Sequence, residues 1–194
     1  MSSRMNIVMA RRDSDAVIQY RASPEDYAYI GAPIVDHNGD SPMAEPLVVR
    51  RETHIPAPPA AVFAFLTDPE KILSWMGAEA TTEAHPGGLY LVKGVAGGAR
   101  AARGAFREVV PVHRLAYSFG WEGSEEVPPG SSLIEIDLID RDGGTLLRMA
   151  HSGLPNEAQC ASHGAGWAHY LGRLAVAAAG RNPGVDRGPT PHET

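Results

Sequence analysis

Between residues 78 and 151 the sequence holds six short segments in which apolar and polar residues alternate, separated by turn-forming residues. The alternation is clearest in residues 115–121 and 133–140, and a period of two is typical of strands that bury one face. The six predicted strands are residues 78–84, 89–95, 104–110, 115–121, 133–140 and 145–151. Because short Gly- and Pro-rich turns separate them, we expect an antiparallel sheet.

The segment that follows has the pattern of one long helix over about residues 157–179. Its apolar residues lie at i, i+3, i+4, i+7 and i+11, a continuous stripe: Trp167, Tyr170, Leu171, Leu174 and Ala178. A sheet needs a cover for its apolar face, and this helix is the one predicted element of sufficient length. We therefore expect a curved sheet packed on the helix, with either a cavity or a filled core between them.

Two further kinds of element precede the six strands. Residues 47–55 alternate and predict a strand, which Pro56 ends, and residues 60–67 predict a short helix. The sequence Thr67-Asp-Pro-Glu70 fits a capping box, predicting a second short helix that carries Trp75 and stops at Gly77. The fold class is thus α+β, with about seven antiparallel strands on a long C-terminal helix and two short helices between strands 1 and 2.

The chain divides into three parts by pattern. Residues 1–42 show short apolar patches without a sustained period and end in a run of turn formers, so they are expected to be a poorly ordered extension. Translation from Met43 is an alternative start. Residues 43–182 form the predicted domain, and residues 183–194 are expected to be a flexible tail.

Composition excludes several classes of protein. The net charge of −6 and the lack of a basic region argue against nucleic-acid binding. No stretch reaches 18 apolar residues, and no secretory signal is recognised at the N-terminus, so neither a membrane span nor export is expected. The single Cys160 gives no internal disulfide, and a cytoplasmic location is expected.

Residues 47–180 resemble the activator of heat-shock-protein-90 ATPase homologue family, within the START-like (SRPBCC, helix-grip) superfamily. The resemblance depends on short motifs in a fixed order: residues 51–59, Val62-Phe63, residues 67–70, Trp75-Met76-Gly77, Pro86-Gly-Gly88, Gly104, residues 109–111, Arg114-Leu115, Gly144-Thr145, residues 151–154 and Gly166-Trp167. It implies a helix-grip fold. It leaves function open, because START-like domains share a fold but bind lipids, cyclise polyketides or assist chaperones.

Three functions are therefore weighed. The preferred one is non-catalytic binding of a small, mostly apolar ligand between sheet and helix. The first alternative is a chaperone-interaction module, although residues 1–42 are too short for the second, N-terminal domain that eukaryotic members carry. The second alternative is an enzyme of the polyketide cyclase or dehydratase type. Neither a cofactor nor a bound metal is expected, and the chain is predicted to be a monomer or a homodimer.

The predicted ligand-binding residues are mostly aromatic: Trp75, Tyr117, Phe119, Trp121, His151, Trp167 and Tyr170. Apolar pockets are lined in this way, but aromatic residues also pack cores, and both interpretations stay open. His151 ends the last predicted strand. It is interpreted as holding the turn into the helix by a bond to the backbone, and it is the candidate acid/base if the chain is an enzyme.

Other polar residues carry weaker signals. Cys160 and His163 lie on one face of the last helix and His169 follows, but zinc sites need three or four ligands, so no metal site is predicted. Glu135 and Asp137 alternate with apolar residues and are expected to face solvent. Arg100 and Arg103 are interpreted as solvated charges, with an anion clamp at the cavity mouth as the alternative.

Overall fold

The computed structural model describes residues 47–189, and the structural statements below refer to this part of the chain. The predictions for residues 1–42, for a start at Met43 and for residues 190–194 lie outside it. The elements in chain order are β1 (Val48–Ile55), α1 (Pro59–Thr67), α2 (Pro69–Ile72), β2 (Glu79–Thr82), β3 (Leu89–Val95), β4 (Arg100–Val110), β5 (Arg114–Phe119), β6 (Ser132–Arg141), β7 (Gly144–Ser152) and α3 (Glu157–Ala178).

The seven strands form one antiparallel sheet in the order β1-β7-β6-β5-β4-β3-β2. Neighbours from β2 to β7 are consecutive in the chain, as short turns require, and β1 closes the other edge against β7. Cross-strand pairs such as Leu115 with Ile136, and Ile136 with Met149, set apolar residues side by side on the inner face. The structure confirms the predicted α+β helix-grip architecture, with α1 and α2 between β1 and β2.

Several strand boundaries differ from the prediction by one to four residues, and two of these differences concern residues that line the cavity. Strand β4 begins at Arg100 rather than at residue 104, and β5 ends at Phe119 rather than at residue 121. Trp121 instead forms an isolated bridge with Ala102. Strand β4 begins with Arg and Ala residues. Alternation of apolar and polar residues is hard to recognise there, because Arg100 on the inner row is polar and alanine is only weakly apolar. Even so, Ala102 and Phe106 are buried, and Arg100 falls in the same alternating row.

The predicted capping box at the start of the second short helix is wrong. Thr67 still belongs to α1, where its hydroxyl donates to the carbonyl of Phe63 at 2.8 Å. Asp68 is the N-cap instead, and its carboxylate accepts from the backbone N–H groups of Glu70 and Lys71. Because Asp satisfies two orphan donors directly, the cap lies one residue later. Helix α2 also ends at Ile72, and the chain turns before Trp75.

Helix α3 matches the predicted length to one residue and covers the inner face of the sheet. The Asn156 side chain caps its N-terminus by accepting from the N–H of Gln159 at 2.9 Å. Its buried stripe includes the predicted Trp167, Tyr170, Leu171 and Leu174, and these residues join the core cluster with the inner-face side chains of the strands.

The opposite face of the sheet carries an ion network around Arg114. Its guanidinium pairs with Glu108, Glu135 and Asp137 at 2.8, 2.5 and 2.8 Å. Glu135 and Asp137 thus lie on the solvent side of β6, as their alternation predicts. They neutralise a neighbouring cation rather than forming an ion-binding site.

Candidate functional site

A cavity of about 170 Å³ lies between the inner face of the sheet and α3. Most of its wall is apolar or aromatic. The residues that line it are Met76, Tyr90, Val95, Ala96, Arg100, Ala102, Phe119, Trp121, Ser162, His163, Gly166, Trp167, Tyr170 and Pro189. Arg100 and Ser162 are exposed, so they mark the side on which the cavity meets solvent.

Four of the seven predicted ligand-binding residues line this cavity: Phe119, Trp121, Trp167 and Tyr170. Phe119 forms its floor, with its ring edge-on to Trp121 at a centroid distance of 5.0 Å. The structure therefore brings together the aromatic residues from the end of β5 and from α3. Their role in binding a ligand stays a prediction.

The other three predicted residues lie in the surrounding core. Trp75 is buried, donates its indole N–H to the carbonyl of Phe65 at 2.9 Å and contacts Tyr170 edge-on. Tyr117 is stacked on Tyr90 with ring centroids 4.4 Å apart. His151 lies beneath Phe119 and is fully buried. These three side chains support the wall from behind rather than line it.

Gly166 leaves a gap in the wall of the cavity. It lies within α3, directly before Trp167, and a Cβ atom placed there would meet no heavy atom within 4 Å. Glycine within a helix is about 1 kcal/mol less favourable than alanine. The space beside Gly166 is thus held open at an energetic cost to the helix.

His151 is held by hydrogen bonds to both ring nitrogens. The indole N–H of Trp167 donates to Nδ1 at 3.1 Å, and Nε2 lies 2.9 Å from Ser132 Oγ. Because Nδ1 accepts, the proton must be on Nε2, which donates to Ser132; the Ser132 hydroxyl in turn donates to the carbonyl of Phe119 at 2.9 Å. Burial lowers the pKa of His151 to about 3, and the neighbouring His163 contributes.

His163 lines the cavity and is also fully hydrogen-bonded. Its Nδ1–H donates to the carbonyl of Gln159 at 2.8 Å, and its Nε2 accepts from the indole N–H of Trp121 at 3.0 Å. Burial lowers its pKa, the bond to Gln159 opposes this, and the positive charge of Arg100 lowers it further. The imidazole is therefore neutral near pH 7 and fixes the orientation of Trp121.

The C-terminal segment, residues 181–189, completes the wall. Asp186 accepts hydrogen bonds from the Tyr170 hydroxyl at 2.9 Å and from His169 Nε2 at 3.0 Å. The Tyr170 oxygen also accepts from the N–H of Ala96 in the β3–β4 turn at 2.7 Å. Pro189 then reaches the cavity. The flexibility predicted for residues 183–194 stays a prediction.

A family model described as "Activator of Hsp90 ATPase homolog 1-like protein" matches residues 56–179. The chain belongs to this family. The solution structure of an AHSA1-like protein from Rhizobium etli (residues 1–152) is 71% identical over 76% of this chain and 91% of that chain, with a TM-score of 0.60. This AHSA1-like chain thus shares both sequence and fold with that relative.

More distant solved structures share the architecture. DynU16, a protein in the dynemicin biosynthetic locus, is 25% identical over 72% of this chain and 50% of that chain, with a TM-score of 0.61. The Aha1 dimer from Colwellia psychrerythraea is 18% identical over 67% of this chain and 94% of that chain, with a TM-score of 0.58, a likeness of fold alone. No curated protein matches the AHSA1-like chain.

Sequence reasoning missed several lining residues of this AHSA1-like domain. Arg100 was considered only as an alternative anion clamp, and Ala102 was not considered. Both share the inner row of β4 with Phe106, and extending the alternation back to residue 100 would have placed them there. Gly166 is part of the Gly166-Trp167 motif. The sequence does not show that both residues of this motif line a cavity. Tyr90 and Pro189 carried no signal that separated them from core or tail.

The polar side chains of α3 that were considered for metal binding serve other contacts. His163 bonds to Trp121, His169 pairs with Asp186, and Cys160 packs beside the core. In the described part of the AHSA1-like chain, no three His, Cys, Asp or Glu side chains lie close enough together to hold a metal ion.

None of the helices within residues 47–189 is long and apolar enough to cross a membrane.

Proposed function

We propose that the AHSA1-like domain binds a small, mostly apolar molecule in the cavity between the sheet and α3, without catalysing a reaction on it. The observation that carries the proposal is the gap beside Gly166. An alanine there would stabilise α3 and narrow the cavity, and Gly166 differs from the exposed Gly172 of the same helix in that it lines the cavity.

The size and chemistry of the wall support this proposal. The cavity measures about 170 Å³, and an engineered apolar cavity of about 150 Å³ is known to bind benzene. Its wall is aromatic and aliphatic apart from a few polar groups, as small-molecule sites usually are. A guest with one or two rings therefore matches both the volume and the wall.

The test compares two glycines of the same helix. Gly166→Leu fills the cavity, while Gly172→Leu adds the same side chain at an exposed position of α3 where a Cβ also meets nothing within 4 Å. The probe is 2-naphthylmethanol. Calorimetry measures its binding, and the indole N–H signals in ¹H–¹⁵N spectra report the position of the bound probe.

We expect the wild-type signals of Trp121 and Trp167 to shift, whereas Trp75, which lies outside the cavity, serves as an internal control. Gly166→Leu should lose this binding at unchanged helix content, and Gly172→Leu should keep it. The proposal would be contradicted if the indole N–H signals of Trp121 and Trp167 in the wild-type protein did not shift on addition of the probe. Equal affinity of the two variants for the probe would also contradict it.

The enzyme alternative depends on His151 as an acid or base. Both ring nitrogens are engaged, by Trp167 and by Ser132, and the ring does not line the cavity. This geometry offers no nitrogen to a bound substrate. It also differs from the turn-holding interpretation of His151, because the ring bonds to side chains of β6 and α3 and not to the backbone of the turn between β7 and α3. The proposal of binding without chemistry is consistent with that geometry.

The chaperone alternative is supported by the description of the family. Its test is the rate of ATP hydrolysis by a heat-shock-protein-90 chaperone with and without the purified protein. We further propose a cytoplasmic location, on the sequence evidence above. We also propose that the chain is a monomer or a homodimer; the Colwellia protein of similar fold was solved as a dimer. Analytical ultracentrifugation distinguishes the two states.

A further inference from the structure

Arg100 lies at the mouth of the cavity and is the lining residue with a full positive charge. It is the first residue of β4, in the row that points to the inner face, and its Cα pairs with that of Val95 across the β3–β4 hairpin. Its guanidinium carbon is 5.1 Å from the ring centroid of Trp121. This cation–π contact holds the cation beside the aromatic wall.

The charge of Arg100 is not neutralised by any ion pair within residues 47–189. Arg103, three residues further along the same strand, differs: it pairs with Glu122 at 3.1 Å. No Asp or Glu of the described chain lines the cavity, and the adjacent His163 has both nitrogens engaged. Within residues 47–189, the mouth therefore combines a cation outside the ion pairs with an apolar interior.

A guanidinium recognises carboxylates with two parallel hydrogen bonds, and such charge-assisted bonds are stronger than neutral ones. From this arrangement we infer that the ligand is an amphipathic carboxylate: one or two rings, or an aliphatic part of similar size, fill the cavity, and the carboxylate binds Arg100. The inference rests on the proposed function and adds the chemical class of the ligand.

The experiment compares three probes that share one ring system but differ in charge: 2-naphthoate, 2-naphthylmethanol and 2-naphthylmethylammonium. Their affinities are measured by calorimetry with the full chain as wild type, Arg100→Gln and Arg103→Gln. The two variants remove the same charge from the same strand, so general electrostatic effects cancel between them.

We expect wild type to bind 2-naphthoate at least about tenfold more tightly than the alcohol, the size of one charge-assisted hydrogen bond, and the ammonium most weakly. Arg100→Gln should lose this preference, while its affinity for the alcohol changes little. Arg103→Gln should keep the preference.

Equal affinity of wild type for naphthoate and alcohol would overturn the assignment to Arg100 while leaving cavity binding intact. The same loss of preference in both variants would also overturn it, because it would reflect net charge alone. If none of the probes moves the indole signals of Trp121 and Trp167, both this inference and the proposed function fail.

Discussion

The indole N–H of Trp167 on α3 donates to Nδ1 of His151 on β7 at 3.1 Å. This bond ties the helix to β7, the strand beside the β1 edge of the sheet, and fixes His151 as the Nε2–H tautomer. Ser132 and the carbonyl of Phe119 extend the chain of hydrogen bonds to the floor of the cavity. A buried neutral imidazole thus positions two residues of the wall.

Acid should destabilise the fold through this histidine. The pKa of His151 is lowered to about 3 in the fold, against about 6.5 in an unfolded chain. The unfolded state therefore binds more protons, and stability is lost as the pH falls from about 6.5 towards 3, by up to about 1.4 kcal/mol per pH unit. His163, whose pKa is also lowered, acts in the same direction.

Urea unfolding near pH 7.5, 6 and 5 measures this effect in wild type and in His151→Gln, which keeps a donor and an acceptor but does not titrate. The variant starts from a lower free energy of unfolding, yet its decline with acid should be shallower. Parallel declines in the two proteins would show that His151 does not bind a proton on unfolding.

Replacing each of the three glycines of α3 by alanine should not change the free energy of unfolding by the same amount. A Cβ at Gly166 or Gly172 meets no heavy atom within 4 Å, whereas at Gly164 it would lie 3.0 Å from Arg51 Nη2. Gly166→Ala and Gly172→Ala should each raise the free energy of unfolding by about 0.5–1 kcal/mol. Gly164→Ala should gain less, because the arginine that bonds to its carbonyl must shift.

Chemical denaturation of the three variants gives these values directly. A destabilised Gly166→Ala would mean that other groups of the protein occupy the space beside α3 in solution, so that no open cavity exists there.

The attachment of the C-terminal segment, residues 181–189, to the rest of the domain should depend on the side chain of Asp186. Its carboxylate binds His169, Tyr170 and the N–H of Gly188, and its side chain is 12% exposed. Burial alone would raise the pKa of Asp186, but these hydrogen bonds together with Arg173 lower it overall. Asp186→Asn should therefore reduce the free energy of unfolding by about 1–2 kcal/mol, as the loss of charge-assisted bonds predicts.

Urea unfolding measures the loss, and amide exchange at Ala96 should become faster because the Tyr170 hydroxyl that it binds loses its charged partner. The control is Asp140→Asn on β6, an exposed carboxylate outside the ion pairs of the described chain. It should change stability by less than about 0.5 kcal/mol. Equal effects of the two substitutions would show that the segment is not held through Asp186.

Much of the fold could be predicted from the sequence because its signals are local. The alternation in β5 and β6 and the stripe on α3 depend on near neighbours, and each predicted element exists with small shifts at its ends. The errors occurred where a local rule had two solutions. Thr67 and Asp68 are both good caps, and the backbone choice between them depends on where α1 ends.

The candidate site was harder to predict because it combines distant parts of the chain. Whether an aromatic residue faces a cavity or a core depends on the register of three strands against one helix, which separates Phe119 from Tyr117 although both lie on the inner face of β5. Pro189 reaches the cavity through the bonds of Asp186. No pattern of neighbouring residues encodes that path.

The gap beside Gly166 has an evolutionary consequence. A glycine codon becomes an alanine or a valine codon by a single nucleotide change, and alanine at this position makes the helix more stable. A lineage selected for stability alone would therefore narrow the cavity in one step without altering the fold. The residue at this position should accordingly separate family members with a wide cavity from members with a narrow one, and it can be read in any homologous sequence.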